Sequence, residues 1–208
     1  EYKIEKGIKL KILALIGGSG SGKSTVLDGL RNHFGERAAV LSLDNYYRPK
    51  SELPVDENGE TNFDMPVVID DETMVSDIDV LRAGKSIHLS TYTYNRDVMK
   101  SEAVTVEPKE WLIVEGLFAM AYPEMEERVD LVGYIDASPE TRLARRIARD
   151  GSERGYTEDE VRYQWKNHVR PADIQFIEPW KTKADVLVDN EKDWKSGLNE
   201  LIDKMEKA

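Results

Sequence analysis

The chain contains no cysteine. That excludes disulfide staples and thiolate metal sites, and it fits a reducing compartment, so a cytoplasmic location is expected. No apolar run approaches the roughly 18 residues a membrane-spanning helix needs, and no signal-peptide core is visible, so no membrane partner is expected. Positive charge is in deficit: 29 lysines and arginines against 40 acids leave a net charge of −11. Nucleic-acid surfaces are built on basic stripes, because phosphate contacts dominate their affinity, so neither DNA nor RNA is expected as a partner. Histidine is scarce too. His33, His88 and His168 are the whole complement, and each reads as an ordinary surface or packed residue.

A chain of 208 residues suits one compact domain, and at that size roughly 70% of the unfolded surface can be buried without staples. Apolar, β-rich runs alternate with helical patterns, the signature of a parallel sheet flanked by helices. Strands are expected at Lys11–Ile16, Ala38–Leu43, Trp111–Glu115, Leu131–Ile135 and Ala184–Val188. The spacing predicts a helix from Gly22 to about His33 and another over Asp71–Arg82, where Met74, Ile78 and Leu81 share a face. Ser138-Pro139-Glu140 reads as a helix start, and Trp194, Leu198, Leu201, Ile202 and Met205 form the stripe of a last helix from about Asp193. Two segments break the alternation. Asp44–Asp70 is a long polar stretch rich in turn residues, and loops of that length are usually functional or disordered. Residues 86–106 read as a small β-hairpin beside the main sheet.

The strongest motif is Gly17-Gly18-Ser19-Gly20-Ser21-Gly22-Lys23-Ser24-Thr25, a match to G-x-x-x-x-G-K-[ST] between a buried strand and a helix. Its glycines let backbone N–H groups turn inward to cradle phosphates at a helix N-terminus. Lys23 is suited to the β- and γ-phosphates and Ser24 to Mg²⁺, so ATP with Mg²⁺ is the expected ligand pair.

A phosphate loop alone does not specify a kinase. Asp44 closes the second expected strand, and ligands in open parallel sheets bind beyond the carboxyl ends of strands. A carboxylate there can take the proton of an attacking hydroxyl, although the same position suits a turn-capping acid. Glu115 closes the third expected strand, where an acid commonly holds Mg²⁺; a solvated strand-end acid is the alternative. Arg142, Arg145, Arg146 and Arg149 recur at helical spacing, with Leu143 and Ile147 as the expected apolar contact of that helix. Asp150-Gly151-Ser152-Glu153-Arg154-Gly155 then reads as a glycine break, giving an arginine-bearing lid over about 146–157. A solvated basic face is the competing reading.

Taken with Leu43–Arg48, Asn62-Phe63-Asp64-Met65-Pro66, Glu115-Gly116, Val169-Arg170-Pro171 and Phe176-Ile177-Glu178-Pro179, these motifs resemble the uridine kinase family of the phosphoribulokinase/uridine kinase group. The similarity runs from about Leu10 to Val188. It implies a single α/β kinase domain over 1–208 that passes the γ-phosphoryl of ATP to a nucleoside-like small molecule. By the same resemblance Asp44 is the base at the sugar 5′-hydroxyl, and Lys23 and Arg149 act on the transferring group. Arg146 and Arg154 bind phosphate, while Tyr47, Asp64, Tyr92, Asn95 and Gln164 surround the acceptor. It also points to a homo-oligomer. The sequence departs from the family where Thr91-Tyr92-Thr93-Tyr94-Asn95-Arg96 lacks the base-reading histidine, and where Tyr156 replaces a common arginine. Both departures fall on the acceptor side, so a kinase of nicotinamide riboside, pantothenate or ribulose phosphate is the rival expectation. An NTP-hydrolysing switch is disfavoured because no guanine-reading Asn-Lys-x-Asp motif is present.

Overall fold

The computed structural model describes residues 9–90 and 103–208. Five parallel strands form one sheet in the order β2-β5-β1-β6-β7: β1 (Lys11–Ile16), β2 (Ala38–Ser42), β5 (Trp111–Glu115), β6 (Leu131–Asp136) and β7 (Val186–Asp189). The expected α/β class, a parallel sheet flanked by helices, is what the chain forms. β1 is central, and Ile12 to Ile16 are all buried because both faces of the sheet are covered. Ile12, Ala14 and Ile16 join one core layer with Leu41, Val114 and Met74. Leu13 and Leu15 join the other with Val26, Leu30 and Leu201. The alternation is the period of two that a strand imposes.

Helices α1 (Lys23–Phe34) and α7 (Trp194–Lys207) contribute to the second layer. Glycine permits their close packing. A Cβ at Gly29 of α1 would lie 2.4 Å from Leu198 Cδ2, and one at Gly197 of α7 would lie 2.8 Å from the Val188 Cα. On the other face stands α2, observed over Asp71–Arg82 as predicted. The stretch from Asp44 to Asp70 is not an open loop: Tyr46, Leu53, Phe63, Val68 and Ile69 are buried in the first layer, and short helical turns carry the chain between them. β3 (Ile87–Ser90) and β4 (Ala103–Val106) pair antiparallel as a separate ribbon. The rest of the expected hairpin, and with it Tyr92 and Asn95, lies outside the described residues.

Several boundaries differ from expectation. β2 ends at Ser42, so Asp44 sits in the tight turn Leu43–Tyr46 that follows. The last strand starts two residues late, because Ala184 belongs to the preceding turn. Helix α4 (Pro139–Glu153) runs straight through Gly151, and the chain leaves it only at Arg154-Gly155, where Gly155 has φ +74°. A single helical glycine costs only about 1 kcal/mol against alanine, too little to end a well-packed helix.

Between α4 and β7 lies a helical stretch that sequence periodicity did not reveal. α5 (Glu158–Gln164) continues through a wide turn at Trp165–Val169, the short α6 (Arg170–Ala172), a second wide turn at Asp173–Ile177 and a tight turn at Glu178–Thr182. Wide turns shift the facing residues, which is why a period of 3.6 misses it. A one-turn helix, α3 (Pro123–Glu126), precedes β6. Among the described residues no helix is long and apolar enough to cross a membrane.

The tight seat of α7 is testable. Gly197→Val drives methyl groups into the backbone of β7 and should lower stability by about 1–3 kcal/mol. A urea midpoint equal to that of the parent chain would show that α7 does not pack as described.

Candidate active site

The carboxyl ends of β1, β2 and β5 open onto one cavity of about 440 Å³. Its wall includes Ser19, Gly20, Gly22, Lys23 and Ser24 from the loop after β1. Asp44, Tyr47 and Asp64 come from the segment after β2, Glu115 and Gly116 from the end of β5, and Arg145, Arg146, Arg149 and Arg154 from α4 and its exit.

The loop after β1 is built to face an anion. Gly20 and Gly22 adopt φ of +78° and +93°, which side chains resist. Its outer side is closed: a Cβ at Gly18 would meet the Arg142 guanidinium, and one at Gly22 would meet Asn190. Asn190 Nδ2 donates to the Ser21 carbonyl at 2.6 Å, and Arg145 donates to the Gly20 and Ser21 carbonyls at 3.2 Å. Helices α2, α4, α5 and α7 each begin with a side chain capping their first N–H groups, whereas α1 has none. The uncapped N–H groups of α1 and the N-terminal end of its dipole are thus available to phosphate. Lys23 Nζ donates to the Gly17 carbonyl at 2.8 Å. Burial pulls its ammonium below the usual lysine range, and the nearby Glu115 and Asp44 charges oppose that.

The carboxylates divide into two sets. Ser42 and Glu115 are register partners on adjacent parallel strands, and the Ser42 hydroxyl donates to Glu115 Oε1 at 2.5 Å. Asp44 is exposed at the cavity wall, close to Lys23, Glu115 and the α4 arginines. Desolvation and then the Glu115 charge push its carboxyl up from the ordinary range, against the pull of Lys23, Arg154 and Arg149. Asp64 is buried, and burial likewise raises its carboxyl while Arg146 opposes.

The arginines are held by acids on α4 and the long helical stretch. Arg142, expected on a basic surface, is buried: its Nε donates to the Ser19 carbonyl at 3.0 Å, and it pairs with buried Asp173 at 2.6 Å. Trp165 lies against the guanidinium, 5.2 Å to the ring centroid. Arg146 donates to Ser19 Oγ at 2.9 Å and to Gln164 Oε1 at 3.4 Å. Asp150, 0% exposed, gathers three cations: Arg149 at 2.8 Å, Arg154 at 3.3 Å and Arg146 at 3.4 Å. The inward face of α4 is therefore Arg142, Arg146 and Asp150, while Leu143 and Ile147, expected to make the apolar contact, are only half-buried.

Most predicted site residues thus share one cavity. Gly17, Gly18 and Ser21 form the closed back of the loop, and Thr25 is exposed on α1. Gln164 sits behind Arg146 on a second cavity of about 290 Å³, beside Tyr156, Tyr163, Asn58 and Glu60. Ser42, Asp150, Asp173 and Asn190 were missed. The i, i+4 spacing of Arg146, Asp150 and Arg154 was the available signal for Asp150, and the strand-end position of Asn190 was a signal for that residue. Asp173 pairs with Arg170 three residues before it at 3.4 Å, a local signal, whereas its contact with Arg142 spans 31 residues and had none.

The oxygen donors fit a hard cation held largely by phosphates. Among the described residues no group of three or more acids and histidines converges on a point that could hold a metal. Ser24 and Glu115 line the same cavity, and Mg²⁺ characteristically takes one or two protein oxygens, with substrate phosphates and water completing the shell.

Comparison with known proteins agrees with this geometry. Residues 12–195 match the profile described as the phosphoribulokinase/uridine kinase family. A uridine kinase of Staphylococcus epidermidis is 38% identical over 178 residues, covering 85% of this chain and 86% of its own. A uridine kinase of Geobacillus kaustophilus is 38% identical over 183 residues, 88% of this chain and 87% of its own. The solved phosphoribulokinase of Rhodobacter spheroides superposes with a TM-score of 0.64 at 20% identity, covering 91% of this chain and 75% of that one, a likeness of fold.

Asp150 makes the arginine cluster testable. Asp150→Ala leaves three guanidinium groups without their shared buried counter-charge and should cost about 3 kcal/mol of stability. A melting temperature within a degree or two of the parent would mean that the arginines do not depend on it.

Proposed function

The chain belongs to the phosphoribulokinase/uridine kinase family of ATP-dependent kinases, and we propose that it phosphorylates the 5′-hydroxyl of uridine or cytidine. The observation that carries this reading is the shared cavity: Lys23, Ser24 and Glu115 on one side, Asp44, Tyr47 and Asp64 on the other. The named relatives, which are uridine kinases, supply the acceptor class. The chain then works as a single kinase domain with a cytoplasmic small-molecule substrate.

In this mechanism the glycine loop and the N-terminus of α1 bind the ATP phosphates through backbone N–H groups. Lys23 leaves the Gly17 carbonyl and meets the β- and γ-phosphates. Ser24 and Glu115 would hold Mg²⁺, which would neutralise charge on the phosphate oxygens. Ser42 aims the Glu115 carboxylate through its short hydrogen bond. Arg149, with Arg146 and Arg154, stabilises charge on the transferring phosphoryl group, and the segment 146–157 acts as the lid. Asp44 orients the 5′-hydroxyl and accepts its proton. Asp64 receives the ribose hydroxyls, Tyr47 packs on the sugar, and Gln164 acts beside Arg146. Tyr92 and Asn95, which lie outside the described residues, complete the acceptor side in this reading.

A second reading keeps the mechanism and changes the acceptor to nicotinamide riboside, pantothenate or a ribulose phosphate. The absence of histidine from Thr91 to Arg96 favours it. Initial rates of ADP formation with Mg²⁺ and ATP against uridine, cytidine and these alternatives separate the two. Uridine or cytidine should give the highest kcat/KM, and stimulation only by another member would move the acceptor.

Asp44→Asn should lower kcat by roughly 10²–10⁴-fold, the usual worth of a positioned base, with ATP affinity nearly unchanged. Near-normal turnover would remove Asp44 from that role. The base works only when ionised and its carboxyl is raised. Activity should therefore fall with decreasing pH at a higher pH than an ordinary aspartate would give. An acid limb at the ordinary carboxylate value would contradict this.

A further inference from the structure

Outside the cavity, a second cluster joins the segment after β2 to the long helical stretch. Asp56, at the tip of that segment, accepts from the Tyr163 hydroxyl at 2.5 Å and lies 2.9 Å from His168 Nε2. Asn58 Nδ2 donates back to the Tyr163 hydroxyl at 2.6 Å. The other Asp56 oxygen accepts the backbone N–H groups of Asn58 and Glu60, each at 2.9 Å. These bonds, led by Tyr163, hold the Asp56 carboxyl well below the usual range. His168 is 3% exposed and packs edge-on to Tyr163, with ring centroids 5.9 Å apart.

This convergence depends on the wide turn. In a regular helix residues five apart point about 140° away from each other. The turn at Trp165–Val169 widens the helix there, so Tyr163 and His168 both reach Asp56. Wide turns of this kind are rare and recur at functional sites. Here the turn directly follows Gln164, which bonds Arg146.

The other end of the cluster leads to the acceptor wall. From the Asp56 turn the chain returns beside itself: Val55 bridges Thr61, Asn62 N donates to the Pro54 carbonyl at 2.8 Å, and Asp64 N donates to Asn62 Oδ1 at 2.9 Å. Whatever fixes Asp56 therefore fixes the backbone that carries Asp64 into the cavity. We propose that Asp56, Tyr163 and His168 form a positioning staple that sets the spacing between the Asp64 wall and the Arg146–Gln164 wall, and so governs affinity for the acceptor. The inference rests on the acceptor reading above and adds three residues that touch neither ATP nor the reacting atoms.

The test is a comparison of Michaelis constants for uridine and for ATP in Asp56→Ala, Tyr163→Phe and Asp56→Asn, with melting temperatures alongside. Asp56→Ala should raise the uridine KM about tenfold and Tyr163→Phe about threefold, with kcat and the ATP KM within about twofold of the parent. Asp56→Asn keeps an oxygen for Tyr163 and should restore most of the uridine affinity. A staple that only stabilised the fold would lower the melting temperature and leave the two KM values unchanged or shifted together, which would overturn the proposal. Uridine turnover by the parent chain is measured first. Its absence would overturn the acceptor reading and this inference with it, whereas normal parent turnover with unchanged uridine KM in the variants would overturn the staple alone.

Discussion

Concentrating cations without their anion is the constraint on which this structure turns. Lys23, Arg145, Arg146, Arg149 and Arg154 line one cavity, and Arg142 lies just behind it. Such a group repels itself and loses solvation on burial. The chain answers with buried acids placed behind the cations: Asp150 beneath Arg146, Arg149 and Arg154, and Asp173 against Arg142. The guanidinium groups are thereby fixed before substrate arrives, and fixed dipoles and charges cost no reorganisation when charge develops.

The sheet supplies the other half of the arrangement. Because β1, β2 and β5 are parallel neighbours, their carboxyl ends bring the phosphate loop, Asp44 and Glu115 to one edge. Lys23, Asp44 and Glu115 then share their electrostatics: Glu115 raises Asp44, and both acids favour the charged form of Lys23. A chain with a net charge of −11 can thus present a local positive face. Its acidic exterior and its basic cleft serve different ends.

The parts legible in the sequence were those governed by short-range rules. The phosphate loop has a fixed spacing, β1 and β5 are continuous apolar runs, and α2 has a regular stripe, and each stands where expected. Asp44 and Glu115 were picked out by the strand-end rule and Asp64 by the family resemblance, and all three line the one cavity. Features that depend on tertiary contact were not legible. Gly151 reads as a helix breaker, yet α4 continues through it to Glu153. Arg142 looks like a surface cation until Asp173 and Trp165 enclose it. The wide turns after α5 have no period for a sequence pattern to detect, so the Asp56 cluster emerged only in three dimensions.

The central claim is that one cavity brings ATP and a primary hydroxyl together on either side of Lys23 and Asp44. Proton-coupled phosphorus NMR of a reaction containing the chain, Mg²⁺, ATP and uridine tests it directly. The account predicts a phosphomonoester signal that grows in step with ADP and is split into a triplet by the two protons on the 5′ carbon. ADP accompanied only by inorganic phosphate, or a doublet from phosphate on a secondary hydroxyl, would contradict it.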